Sequence, residues 1–161
     1  MFEMTAKSNK VASEGRYLSF QLGHEIFAVE IQCVSEIIGM DKITALPDTE
    51  TYVKGVINLR GNIIPIMDLR LKLHLIETQY SKQTCIIIVD TSTNKVGIIV
   101  DAVQDVLDFN CKQIDLTPEI CSVSNLGIVT GIGKIQEKNV ILVDMFAILA
   151  SAKINFDKLR A

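Results

Sequence analysis

No tryptophan, two histidines, three prolines, four cysteines and no apolar run of bilayer length: these scarcities in the 161-residue sequence each remove a class of protein. His24 lies in an apparent turn and His74 in "RLKLHL", and neither has a ligand-type neighbour at metal spacing, so both read as surface histidines. Cys33, Cys85, Cys111 and Cys121 show no CxxC spacing, which leaves small buried hydrophobes or idle thiols in a reducing compartment. The N-terminal "MFEMTAKSNKVASEG" has no signal-type apolar core. Apolar runs elsewhere stop far short of the roughly 18 to 20 residues that cross a bilayer, so a cytoplasmic chain without membrane insertion is expected. Sixteen basic and nineteen acidic residues leave a charge of −3 and no basic block to neutralise phosphates, which argues against nucleic acid.

Catalytic motifs are scarce as well. "GIVTGIGK" (127–134) has Ile128 where a P-loop needs its first glycine and Ile135 where it needs Ser or Thr; GxGxxG fails at Gln136, and GxSxG is absent. The glycines there are expected to permit a bend between strands. With no nucleophile-and-base set, paired carboxylates or metal ligands legible, no enzyme and no cofactor are expected.

What the sequence does contain is apolar alternation, with 48% hydrophobic residues, enough for a packed core. Leu18, Phe20 and Leu22 alternate with polar residues before the turn "GHE" and the return "IFAVE"; "CIIIVD", "TSTN" and "KVGIIV" repeat the scheme. "GVINLR-GN-IIPIMDL" and "GIVTGIGKI-QEKN-VILVDM" make two more hairpins. Phe20, Phe27, Tyr17, Tyr52 and Tyr80 have no interleaved basic residues and read as core or rim packing.

An internal duplication is expected, because at an offset of 69 residues "AVEIQCVSEII" (28–38) lies over "GIIVDAVQDVL" (97–107), setting Glu36 on Asp105. Asp68 falls on Asp144 if the last hairpin carries a longer turn. Ile31, Val34 and Ile38, and likewise Val100, Val103 and Leu107, recur at i, i+3 and i+7, predicting short helical stretches that face the core and turn Glu36 away from it. Pro65 places "IIPIM" at a sheet edge or bulge, open to extension by a partner. "DMFAILASAKINFDKLRA" predicts a C-terminal helix anchored by Met145, Phe146, Leu149, Ile154 and Phe156. The resulting expectation is a mainly β protein of two small barrels with short helices. Its parts are a flexible tail over 1–15, a domain over 16–152 with pseudo-repeats about 17–75 and 83–150, and a helical tail over 153–161.

Arg60 stands out beside a glycine at a hairpin tip, sharing a face with Asn58 and outside the core. "KGVINLRGNIIPIMDLR" (54–70), with "VSEIIG" (34–39), "VGIIVDAVQDVL" (96–107) and "GIGKIQEKNVILVDM" (131–145) in the same order, resembles the CheW coupling-protein family of chemotaxis from about Tyr17 to Leu149. The resemblance implies two five-stranded SH3-like barrels packed on a shared core. It also implies a non-enzymatic adaptor that joins the cytoplasmic tip of methyl-accepting chemoreceptors to the regulatory domain of the histidine kinase CheA in membrane-associated arrays. The family's positions fall on Arg60 and Gly61 of "NLRG", Glu36 of "VSEI", and Val34 and Gly55, as partner-binding residues. Arg60 and Glu36 are expected to form a charged pair. A CheV-like chain would add a receiver domain and CheA a kinase core, and 161 residues hold neither. The alternative from another class is a small β-barrel that binds a ligand or nucleic acid; an enzyme, with polar groups converging in a deep apolar pocket, comes third.

Overall fold

The computed structural model of the chain describes residues 11–76, 79–91, 93–116 and 128–154. The chain forms two compact units, each assembled from separate stretches: residues up to Ile31 with Gln104–Ala152, and Gln32–Val103 with the residues from Lys153.

In the first unit, β1 (Gly15–Leu22) and β2 (Glu25–Glu30) pair across the Gly23-His24 turn, with Phe20 directly opposite Phe27 and the two rings stacked 6.1 Å apart. A second hairpin joins β10 (Val129–Ile135) to β11 (Lys138–Val143), and β11 lies parallel to β2. Adding β8 (Ala102–Phe109) and the two-residue β9 (Ile114–Asp115) gives the order β8-β1-β2-β11-β10-β9. Tyr17, Ala28, Phe109, Val140 and Leu142 form a core with Ala12, and the Phe109 ring meets Tyr17 edge-on at 5.8 Å. Ser19, a polar residue in the alternation, is buried because its hydroxyl donates to the Asp105 carbonyl (2.8 Å) and accepts from the Asp105 N–H (3.0 Å).

In the second unit, β6 (Cys85–Asp90) and β7 (Lys95–Val100) form one hairpin, and β4 (Val53–Leu59) and β5 (Asn62–Asp68) the other. With β3 (Val34–Gly39), the order is β3-β6-β7-β5-β4, and β5 runs parallel to β7. Ile57, Ile64, Ile66, Ile86, Ile88 and Ile99 fill this core. Isoleucine suits a pleated surface with both neighbours crowded. Gly97 is what lets them meet, since a Cβ there would lie 2.4 Å from Ile66 Cδ1 and 2.8 Å from Ile86 Cγ2.

The two sheets share one wiring, a hairpin joined by a parallel pair to a second hairpin. The parallel pairs correspond residue by residue: Ala28 faces Leu142 as Gly97 faces Ile66. Each sheet takes its first hairpin from one sequence repeat and its second from the other. Val53, Gly55 and Asp68 match Val129, Gly131 and Asp144 without any insertion, and both hairpins bulge at the same place. The longer turn expected in the last hairpin is therefore corrected: Arg60-Gly61 and Gln136-Glu137 are both two-residue turns, and the added length lies between β9 and β10.

Other expectations change too. Helical stretches over 31–38 and 100–107 are replaced by strands, with a 3-10 turn confined to Ile31–Cys33. The helical spacing was ambiguous over so few residues, and ladder bonds to β6 favour the β-branched Val34, Ile37 and Ile38 in a strand. Pro65 is in an interior strand; it is tolerated because pairing with β7 begins only at Ile66, leaving that flank with nothing to accept. The edges of this sheet are β3 and β4. In β10, Gly131 and Gly133 serve close packing: a Cβ at Gly133 would press to 2.7 Å from the Phe109 ring.

Two short helices follow the last strand of each second hairpin, α1 (Leu69–Lys72) and α2 (Met145–Ala150). Met145 is buried, but Phe146, expected as an anchor, is 48% exposed. Lys153 and Ile154 follow outside α2, and Cys121, Phe156 and the rest of the predicted helical tail lie outside the described residues. Before β1, Ala12 is already buried, its N–H donating to the Thr130 carbonyl at 3.1 Å, so the stretch assigned to a tail is held at least from there; residues 1–10 lie outside the described ones.

Candidate functional site

The site is built around the tip of the β4–β5 hairpin. A two-residue turn that matches strand twist needs positive φ at both positions, and Arg60 (52°) and Gly61 (87°) have it. The turn pair is thus Arg60-Gly61, one residue earlier than the Gly-Asn read from the sequence. Glycine adopts this conformation freely, whereas arginine carries strain of about 1–2 kcal/mol. Asn58 Oδ1 steadies the turn by accepting the Gly61 N–H at 2.9 Å.

From that tip the Arg60 guanidinium reaches Glu36 on β3, Nη2 donating to Oε2. Because β3 and β4 are opposite edges of the five-stranded sheet, this ion pair links the sheet's two ends. Glu36 stands opposite Ile88 and shares its face, toward the isoleucine core and not away from it. Its carboxylate is 29% exposed at the rim, where an apolar face would leave it unpaired; the arginine, 67% exposed, satisfies it from the solvent side. Val34 begins β3, half-buried, and a register shift between Val34 and Glu36 sets the strand's alignment.

Gly55 is buried, with φ at 140°. A Cβ there would sit 2.0 Å from the Thr44 carbonyl oxygen, which accepts the Val56 N–H at 2.9 Å. Its place is behind the hairpin, shaping β4 against Thr44. Of the five sequence-derived positions, the structure brings Arg60, Gly61 and Glu36 together at one rim, with Val34 two residues away along β3 and Gly55 beneath the hairpin.

Sequence reasoning missed a second polar cluster in the same unit. Asp68 caps α1, its Oδ1 accepting the Arg70 N–H at 3.0 Å and its Oδ2 the Tyr80 hydroxyl at 2.8 Å. Arg70 forms a two-pronged pair with Asp101, Nε to Oδ1 at 2.8 Å and Nη2 to Oδ2 at 2.6 Å, which raises its pKa still further and keeps it charged. Asp before an apolar helix start is a readable cap signal. Asp101 as partner was not readable. Nearby, the Lys72 ammonium lies 5.1 Å from the Tyr52 ring centroid, and burial lowers its pKa.

Among the described residues, no group of three or more His, Cys, Asp or Glu could hold a metal ion, and no helix is long and apolar enough to cross a membrane.

Fold and site together define a small, mainly β protein of two SH3-like subdomains with an ion-paired hairpin tip. The CheW-like domain model matches residues 16–153, and the chain belongs to that family of chemotaxis proteins. It is 38% identical to the chemotaxis protein CheW of Klebsiella aerogenes over 92% of each chain. With CheW of Rhizobium meliloti it shares 33%, over 92% of this chain and 96% of that one. The crystal structure of the scaffolding protein TtCheW from Thermoanaerobacter tengcongensis superposes with a TM-score of 0.73 at 32% identity, covering 81% of this chain and 89% of that one.

Proposed function

We propose that this chain is a non-enzymatic adaptor that couples chemoreceptors to the histidine kinase CheA, acting in the cytoplasm on membrane-associated receptor arrays. The observation that carries the reading is the Arg60–Glu36 pair, a charged group exposed at a hairpin tip in a chain of the CheW-like family. Val34, Glu36, Gly55, Arg60 and Gly61 mark the partner-binding surface, with Gly55 acting through the shape of β4 and the others at or near the rim. One partner is the receptor's cytoplasmic tip and the other the kinase's regulatory domain. In this mechanism nothing is chemically transformed. A receptor's conformational bias alters kinase output through a coupling free energy, of the order of 1–3 kcal/mol in allosteric systems.

The test is reconstitution of the purified chain with CheA and receptor-bearing membranes. The wild type should co-sediment with both and raise kinase activity, and Arg60→Glu, which sets two acids against each other, should abolish the rise. Failure of the wild type to join either partner would falsify the adaptor reading.

A further inference from the structure

Arg70 and Asp101 lie outside the positions assigned to partners, and they meet where the chain changes unit. Val103 closes the Gln32–Val103 stretch of the five-stranded unit and Gln104 belongs to the other, yet both lie inside the uninterrupted strand β8. A single residue joins β7 to β8. That residue is Asp101, between β7 and β8.

Asp101 is held by two charge-assisted bonds from one guanidinium, at 2.8 and 2.6 Å. The third direction of Arg70 is also committed, Nη1 donating to the Ile76 carbonyl at 2.8 Å. Both side chains are largely covered, at 14% and 28% exposure. Arg70 itself sits on a helix fixed to the end of β5 by the Asp68 cap. The start of β8 is thereby tied to the same hairpin whose other end carries Arg60.

The fold alone does not require this pair. At the corresponding places of the other sheet, where the two repeats exchange roles, Phe146 stands second in α2 as Arg70 stands second in α1, and Gln32 takes the position that corresponds to Asp101. Neither can form a charged fork. Of these two equivalent places, only the one that precedes β8 carries the pair.

We propose that Arg70 and Asp101 form a positioning clamp: it ties the start of β8 to the hairpin whose tip carries Arg60, so that an event at the Arg60–Glu36 rim is passed to the first residues of β8. The passing-on rests on the adaptor reading above; the clamp itself does not.

Amide hydrogen exchange of full-length wild type, Arg70→Lys, Asp101→Asn and the double variant, paired with the reconstituted kinase assay, separates the two. Each single change should speed exchange over residues 101–104 by about tenfold or more while leaving the β4–β5 hairpin protected, and the double variant should add little to either single. Each partner alone should still bind within about twofold of wild type, with receptor-stimulated kinase activity down several-fold. Unchanged exchange at 101–104 in both singles, additive effects, or loss of protection spread evenly across the unit would overturn the clamp. Local exchange as expected with undiminished stimulation would overturn its role in coupling. If the wild type gives no stimulation at all, the adaptor reading fails and the clamp is judged by exchange alone.

Discussion

Asp68 and Asp144 hold the same place in the two sheets. Asp68 ends β5 and Asp144 directly follows β11; each is buried and caps a short helix by accepting the N–H two residues on, from Arg70 and from Phe146, both at 3.0 Å. Asp68 also accepts the Tyr80 hydroxyl at 2.8 Å. A loss of the cap costs about 0.5–2 kcal/mol. Urea unfolding of Asp144→Ala is expected in that range, and Asp68→Ala should lose more, since Tyr80 and the Arg70 anchor go with it.

Gly55 and Gly131 correspond at the two bulges but face different neighbours. A Cβ at Gly55 meets backbone at 2.0 Å, and backbone cannot step aside; at Gly131 the nearest atoms are side-chain carbons at 3.0–3.2 Å. Gly55→Ala should therefore destabilise by about 3 kcal/mol, combining strain with loss of the Thr44 bridge. Gly131→Ala should cost clearly less in the same denaturation series. Equal losses would refute the backbone-contact account.

At the hairpin tip, stability and function are expected to part. Arg60→Asn creates Asn-Gly, the pair best suited to this turn, and removes an exposed ion pair that contributes about 0–1 kcal/mol. Folding stability should shift by less than about 1 kcal/mol in either direction, as read by the urea midpoint. Kinase stimulation in the reconstituted assay should nonetheless collapse.

Cys85 gives a pH dependence with a definite sign. Burial pushes its thiol up, only partly opposed by a bond from the Val103 backbone. The unfolded thiol loses its proton near its ordinary value of about 8.5, while the folded one retains it to higher pH. In that interval the native state binds more protons, so stability is fully present below the unfolded value and falls as pH rises toward the folded one. Cys85→Ala should flatten the fall of stability as pH rises above about 8.5 relative to wild type. An unchanged slope would rule out Cys85 as its source.

Much of this was legible because hairpins are local. The four pairs of apolar runs, Arg60 at a tip, the exposed His24 and the match of Asp68 to Asp144 follow from alternation and turn residues within a few positions. Other features resisted. Val34 and Ile38 fit a helical spacing as well as a strand, and only the ladder to β6 decided between them. Met145 and Phe146 both looked like anchors of an apolar helix, and only Met145 is buried.

By itself the sequence determined where strands begin and turn, because backbone preference and apolar alternation act between near neighbours. It also carried the family motif around "NLRG". Only the tertiary structure decided that each sheet joins hairpins from both repeats, that Arg60 closes on Glu36, and that Arg70 grips Asp101. Those partners are 24 and 31 residues apart, and they meet only once parallel pairing has placed their strands, a choice set by packing the isoleucine core and not by any local preference.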